Sequence, residues 1–125
     1  MNILVVDDEQ DVKDLFQQKF RKEIRSGLVN FEFALSGEEA LRILSGLNKE
    51  AILILSDINM PGMSGLELLH EIKSKQSNPS PVVMMVTAYG DEDNFNRAKE
   101  LGADDFLTKP VDFNLLKDKL NIKEI

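Results

Sequence analysis

Three short apolar runs without a charged residue constrain the fold more than any other feature of this sequence. They cover residues 3–6, 51–55 and 82–86, and each is followed by polar or turn-forming residues. Uncharged runs of about 4–8 residues are typical of strands that are buried on both faces. Such strands occur mainly in parallel sheets with helices on both sides, so the runs predict an α/β protein.

The segments between the runs show the spacing of amphipathic helices. The first helix, which Gly27 ends, is predicted from apolar residues at helical intervals: Val12, Leu15, Phe16, Phe20 and Ile24. Ser36 with Glu39 and Ser64 with Glu67 form capping-box patterns, which begin the second and third helices. The third helix is expected to bury four apolar residues: Leu66, Leu68, Leu69 and Ile72.

Two further strands and two further helices complete the pattern. Residues 31–34 alternate and predict an edge strand, and residues 105–108 predict a short strand. Asp91 and Asp112 are the predicted N-caps of the fourth and fifth helices, and residues 76–81 form a loop. The whole pattern is (βα)5, which predicts a parallel sheet joined by right-handed crossovers.

The composition limits the kinds of function that the chain can have. Its 125 residues suffice for one domain, which we assign to residues 1–125. A formal charge of −7 argues against binding to nucleic acid or to an anionic membrane. With no cysteine and one histidine, a metal site must use oxygen ligands, which suit Mg²⁺, Ca²⁺ or Mn²⁺. No leader or membrane span is evident, so we expect a cytoplasmic protein.

Polar residues follow four of the predicted strands. Asp7 and Asp8 come after the first strand, Asp57 after the third, Thr87 after the fourth and Lys109 after the fifth. Because ligands bind beyond the carboxyl ends of the strands in such sheets, these side chains are expected to form one site. Three ionised carboxylates repel by roughly 4 kcal/mol per pair at 4 Å, and a divalent cation with Lys109 would offset this repulsion.

That set of groups is suited to phosphoryl chemistry. A metal ion and an ammonium neutralise phosphoryl oxygens, a hydroxyl donates to another oxygen, and a carboxylate can act as nucleophile. Asp57 is the best nucleophile, because its turn is the most exposed and the pair Asp7 and Asp8 is better placed to hold metal.

At these positions the chain resembles the receiver domains of two-component response regulators over essentially its whole length. The resemblance rests on four segments in order, at residues 5–9, 56–65, 86–88 and 102–110. It implies a CheY-like, flavodoxin-like doubly wound sheet with strand order 2-1-3-4-5. It also implies a switch in a phosphorelay rather than an enzyme.

The resemblance implies a role for each matching position. Asp57 would accept a phosphoryl group from a histidine kinase or phosphotransfer protein. Mg²⁺ would be bound by Asp8, by Asp57, by the backbone carbonyl of Asn59, and by Asp7 through water. Lys109, in a cis bond to Pro110, would contact a phosphoryl oxygen.

The resemblance implies a switch as well. Thr87 would hydrogen-bond the phosphoryl group, and Phe106 would turn into the space that Thr87 leaves. This movement would alter the surface of the fourth helix, fifth strand and fifth helix, and so control an output protein or domain. No output domain is visible in the sequence, so the chain is either a stand-alone receiver or part of a larger regulator.

Other interpretations remain open at this stage. A phosphohydrolase of the haloacid-dehalogenase kind also uses an aspartate nucleophile, but it needs a second aspartate where this chain has Glu9. A pseudo-receiver would bind a partner without phosphorylation. Taken alone, Asp7 and Asp8 could be helix-capping acids. His70 resembles the phosphorylated histidine of a sensor kinase, yet it lacks the following proline and lies toward the polar side of its helix.

Overall fold

The computed structural model describes residues 1–46, 52–75 and 80–122. Ala51, predicted at the start of a strand, and positions 76–79 of the predicted loop lie outside this part. The described residues form five strands: β1 (Asn2–Val6), β2 (Asn30–Ala34), β3 (Ile52–Asp57), β4 (Val82–Thr87) and β5 (Asp105–Thr108). They also form six helices: α1 (Asp11–Lys19), α2 (Arg21–Arg25), α3 (Gly37–Gly46), α4 (Gly65–Ser74), α5 (Glu92–Glu100) and α6 (Phe113–Lys119).

The strands form one parallel sheet in the order β2-β1-β3-β4-β5, which confirms the predicted topology. The apolar runs are the three central strands, and residues 31–34 lie in the edge strand β2 as predicted. In the register, Val6 lies opposite Ser56 and Asp57 lies opposite Val86. The carboxyl ends of β1, β3 and β4 therefore meet at one edge of the sheet.

Side chains alternate between two apolar layers on the two faces of the sheet. Along β3, Ile54 packs in the layer beneath α3, α4 and α5, and Leu55 packs in the layer beneath α1 and α6. Both residues are almost fully buried. Strands without a polar face are what a sheet covered by helices requires.

The first predicted helix is two helices, which corrects the sequence prediction. Phe20 is at once the C-cap of α1 and the N-cap of α2, with φ −108° and ψ 22°. Phe16 and Phe20 are buried as expected, but Leu15 is 42% exposed and Ile24 is 37% exposed. The rings of Phe16 and Phe20 stack at a centroid distance of 6.0 Å in the apolar layer beneath α1 and α6.

The predicted caps are present. The backbone N–H groups of Glu39 and Glu67 donate to the hydroxyls of Ser36 and Ser64 over 3.1 and 3.2 Å. Asp91 caps α5 and Asp112 caps α6 through their carboxylates. All four apolar residues expected to face inward from α4 are buried. In the described ranges, the helices are all too short or too polar to cross a bilayer.

Candidate functional site

Three aspartates meet where β1 and β3 end. Carboxylate oxygens of Asp7, Asp8 and Asp57 all lie within 4.8 Å of one another. Asp8 is exposed, Asp7 is half-buried and Asp57 is only 5% exposed. Oxygen atoms in this arrangement fit a hard divalent cation, because such ions bind several carboxylate and carbonyl oxygens together with water. The donor set therefore agrees with the Mg²⁺ site expected from the sequence.

Lys109 supplies the cation of the site. Its Nζ donates to Oδ2 of Asp57 over 2.8 Å, and its backbone N–H donates to the carbonyl of Thr87 over 2.8 Å. Burial opposes the ammonium charge, but the hydrogen bond and the charge of Asp57 outweigh it and raise the pKa of Lys109. Lys109 is therefore held as a cation against the most buried of the three acids.

Asp7 shows the effect of crowding acids together. Burial raises the pKa of the Asp7 carboxyl, and repulsion from Asp57 adds to the rise. The hydrogen bond that Oδ1 accepts from the Glu9 backbone N–H, at 3.0 Å, and the charge of Lys109 oppose it. A bound cation would relieve this repulsion directly.

The turn after Asp57 is folded tightly against the end of β3. The N–H of Gly65 donates to the carbonyl of Ile58 over 2.7 Å, at the first turn of α4. A Cβ at Gly65 would collide with the backbone carbonyl of Asp57 and would lie 2.7 Å from Cα of Ile58. Glycine at this position is what allows α4 to begin directly beneath the acid.

Thr87 is the last residue of β4, and Phe106 lies on the neighbouring strand β5. The Thr87 hydroxyl, in a side chain only 6% exposed, donates to the carbonyl of Leu107 over 3.4 Å. This distance is long for an O–H···O bond. Phe106 is half-buried and packs against Phe95 of α5, with ring centroids 4.3 Å apart.

Comparison with known proteins agrees with this geometry. The family description of the response regulator receiver domain matches residues 3–121. The chain belongs to that family. Receiver domains are the phosphoacceptor components of two-component phosphorelays, and the chain is one of them.

Relatives of this receiver domain differ greatly in length. It is 36% identical over 116 residues to sporulation initiation phosphotransferase F of Bacillus subtilis, covering 93% of the chain and 87% of the relative. It is 37% identical over 120 residues to a cyclic di-GMP phosphodiesterase of Thermotoga maritima, covering 96% of the chain but only 30% of that relative. The same domain thus occurs both nearly alone and within longer proteins.

Solved structures also match the receiver domain closely. A receiver domain protein from Clostridium thermocellum superposes with a TM-score of 0.81 at 32% identity, covering 96% of this chain and 90% of the other. A receiver protein from Pseudomonas putida gives 0.81 at 26% identity, covering 98% and 96%. Both agree with the fold described above.

The receiver domain brings together most of the side chains singled out from the sequence. Asp7, Asp8, Asp57 and Lys109 form one cluster, and the Lys109–Pro110 bond is cis as the resemblance implies. Asn59 is exposed in the turn two residues after Asp57.

Two residues were not foreseen in the roles that they have. Phe95 is 37% exposed, and it is the ring partner of Phe106. Gly65 has no side chain and so makes room for the backbone of Asp57. Neither contact leaves a signal in sequence spacing, because each depends on how two elements approach each other.

Proposed function

We propose that this receiver domain accepts a phosphoryl group on Asp57 from the phosphohistidine of a histidine kinase or phosphotransfer protein. The main observation in support is that the buried carboxylate of Asp57 lies within 4.8 Å of two other carboxylates and 2.8 Å from the ammonium of Lys109. A phosphoryl group needs a nucleophile and neutralisation of its own charge at the same point, and this site has groups for both.

The transfer is a displacement at phosphorus. An oxygen of Asp57 forms the new P–O bond, the P–N bond to the donor imidazole breaks, and its electron pair stays on the imidazole nitrogen. Lys109, already 2.8 Å from Asp57, would move its hydrogen bond to a phosphoryl oxygen. Later attack by water would release phosphate and restore the carboxylate.

Magnesium would be held by this chain's own oxygen atoms. We assign Asp8, Asp57 and the backbone carbonyl of Asn59 as ligands, with Asp7 acting through water. Bound Mg²⁺ would supply charge neutralisation between the acids and the phosphoryl oxygens. The observation in support is the spacing of the three carboxylates, whose mutual repulsion a cation would relieve.

Phosphorylation would be transmitted through Thr87 and Phe106. The Thr87 hydroxyl would leave its long bond to the Leu107 carbonyl for a phosphoryl oxygen. Phe106 would then turn inward and separate from Phe95, changing the surface of α5, β5 and α6. That surface corresponds to the fourth helix, fifth strand and fifth helix of the sequence prediction, and it would bind the downstream output protein or domain.

The domain would thus act as a switch rather than as an enzyme with a diffusible product. We place it in the cytoplasm, as a single domain over residues 1–125, with no direct contact to nucleic acid or membrane. The charge of −7 supports these last two exclusions.

Intact mass after incubation with acetyl phosphate and Mg²⁺ tests the proposal. We expect the mass of one phosphoryl group to be gained by the unaltered chain and not by Asp57→Asn. The exposed Asp93→Asn is the matched control and should gain it normally. Asp8→Asn should be modified more slowly and should need more Mg²⁺.

Three results would contradict the proposal. Phosphorylation of Asp57→Asn would place the acceptor elsewhere. Continuous release of phosphate from small phosphate esters, without a stoichiometric limit, would indicate the hydrolase instead. Absence of both Mg²⁺ binding and mass gain would indicate the pseudo-receiver.

A further inference from the structure

A cavity of about 480 Å³ runs from the acids into the apolar layer beneath α1 and α6. Its inner wall is formed by the ends of three strands, at Val5, Leu55 and Val86, all of which are buried. A phosphoryl group and a metal ion would occupy only the polar end of this space. The proposed phosphotransfer chemistry therefore leaves the apolar part of the cavity without a use.

The apolar wall is mostly aliphatic and includes the rings of Phe16 and Phe113. Phe16 of α1 lines the cavity, is 3% exposed, and packs edge-to-face on Phe113, another lining residue, with centroids 5.0 Å apart. Val12 and Leu15 form the side toward α1, and Val111 forms the side toward α6. The half-buried ring of Phe113 offers an aromatic ligand a partner for an edge-to-face contact. The volume also lies in the range of roughly 300–1,000 Å³ that is typical of small-molecule sites.

The polar end of the cavity carries an excess of negative charge. Three carboxylates line it, from Asp7, Glu9 and Asp57, against the single ammonium of Lys109. That ammonium is already engaged by Asp57 at 2.8 Å. A cationic head group would complement this end, and a carboxylate would be repelled.

We propose that this cavity binds a small organic cation with an aromatic body, of the arylalkyl-ammonium class. The ring lies against the exposed Leu15 and the half-buried Phe113, and the ammonium lies among Asp7, Glu9 and Asp57. Because the ammonium uses acids that would also hold a metal ion, Mg²⁺ and the ligand compete. The proposal does not depend on phosphoryl transfer and is tested without it.

Amide NMR titration of the metal-free full chain with phenylbutylamine tests the proposal. We expect saturable shifts at Val12, Leu15 and Val111, with a dissociation constant on the order of 1 mM for so small a probe. Phenylbutanol, which keeps the ring but lacks the charge, should bind about tenfold more weakly. Phenylbutyrate should not bind measurably, and saturating Mg²⁺ should remove the advantage of the amine over the alcohol.

Two leucines of similar exposure provide a matched pair of variants. Leu15 lines the mouth of the cavity and is 42% exposed, whereas Leu115 on α6 is 46% exposed and does not line it. Leu15→Trp should fill the mouth and weaken binding of the amine about tenfold or more, and Leu115→Trp should leave it unchanged. Val111→Phe fills the opposite wall and serves as a second variant should Leu15→Trp unfold, which the dispersion of the amide spectrum reports.

Four results would overturn the proposal. The first two are the absence of a saturable shift at the cavity with all three probes, and equal affinity for the amine and the carboxylate. The other two are equal losses of amine affinity in the two tryptophan variants, and shifts confined to other parts of the surface. If the probes fail and the cavity residues shift only on addition of a histidine phosphotransfer protein, the cavity receives a partner's side chain instead.

Discussion

Lys109 and Asp57 form an ion pair across 52 positions of sequence, with Nζ 2.8 Å from Oδ2. The carboxylate is 5% exposed and the lysine side chain 37% exposed, so one partner is buried and the other reaches solvent. The buried acid therefore depends on a cation that can move away from it. This asymmetry allows the lysine to transfer its hydrogen bond without leaving a buried ammonium unpaired.

Removal of the lysine charge should destabilise the metal-free protein. Lys109→Met leaves Asp57 facing Asp7 and Asp8 without a counter-charge, and we expect the free energy of unfolding to fall by about 1–2 kcal/mol after allowance for solvent screening. Lys119→Met, which breaks the more exposed pair with Asp105, should cost less than about 1 kcal/mol. Urea unfolding in EDTA measures both, and equal losses would show that Asp57 does not need its partner.

A methyl group at Gly65 should disrupt the site. The added Cβ of Gly65→Ala meets the backbone of Asp57 and Ile58, so we expect a loss of about 3 kcal/mol or more in unfolding free energy and displacement of the acid. Gly46→Ala is the control, because nothing lies within 4 Å of its Cβ. It should be neutral or stabilising by up to about 1 kcal/mol. Thermal unfolding compares the two variants, and a Gly65→Ala protein as stable as Gly46→Ala would contradict the collision.

The hydroxyl of Thr87 should matter for switching more than for stability. Its hydrogen bond to Leu107 is long, at 3.4 Å, so Thr87→Val should change the unfolding free energy by less than about 1 kcal/mol. Beryllofluoride with Mg²⁺ should shift the ring signals of Phe106 in the unaltered protein and not in this variant. Thr108→Val, opposite Thr87 in the sheet register and exposed, should behave like the unaltered protein. If the ring signals of Phe106 still shift in Thr87→Val, Thr87 does not take part in the switch.

A second ion pair should control stability in acid. Glu23 of α2 forms an ion pair with Lys117 of α6, with Oε2 3.0 Å from Nζ, and the Glu23 side chain is 7% exposed. Burial opposes the charge of Glu23, but the hydrogen bond and the charge of Lys117 outweigh it and lower its pKa below 4.5. A lowered folded-state pKa means that the stabilisation is complete above the unfolded value and is lost as pH falls through the folded value.

Glu23→Gln isolates this contribution. At pH 7 we expect the variant to be less stable by about 1–2 kcal/mol, and the difference should shrink as the pH is lowered below 4.5. Glu32→Gln, on the exposed side of β2, is the control and should show no such convergence. Urea unfolding at a series of pH values measures the stability of both variants against the unaltered protein. If the stability lost in Glu23→Gln grew as the pH fell, the pKa of Glu23 would not be lowered in the folded protein.

Much of the fold follows from apolar periodicity. The uncharged runs form most of β1, β3 and β4, because strands covered on both faces bury apolar side chains along their length and carry polar ones only near their ends. The break at Phe20 could not be foreseen, since the apolar spacing continues without a glycine or proline from Val12 to Ile24.

The sequence was sufficient to predict which residues meet in the site, but not how deeply each is buried. Because Asp7, Asp57 and Lys109 each follow the carboxyl end of a strand, the sequence predicted that they converge, and the structure confirms it. Their unequal burial was not predictable, because Asp7 and Asp8 are adjacent and chemically identical, and only the direction of the turn makes one half-buried and the other exposed. The apolar cavity was not foreseen either, since it is bounded by residues from several elements.

The alternation of side chains along the strands separates two tasks in space. On β3, Asp57 points to the same face as Leu55, beneath α1 and α6, whereas on β4 Thr87 points to the face of Met85, where Phe106 also packs. Asp57 and Thr87 are the last residues of β3 and β4, so a phosphoryl group on Asp57 and the Thr87 hydroxyl would meet just beyond the edge of the sheet. A change at that edge would then pass from one face to the other without any rearrangement of the strands.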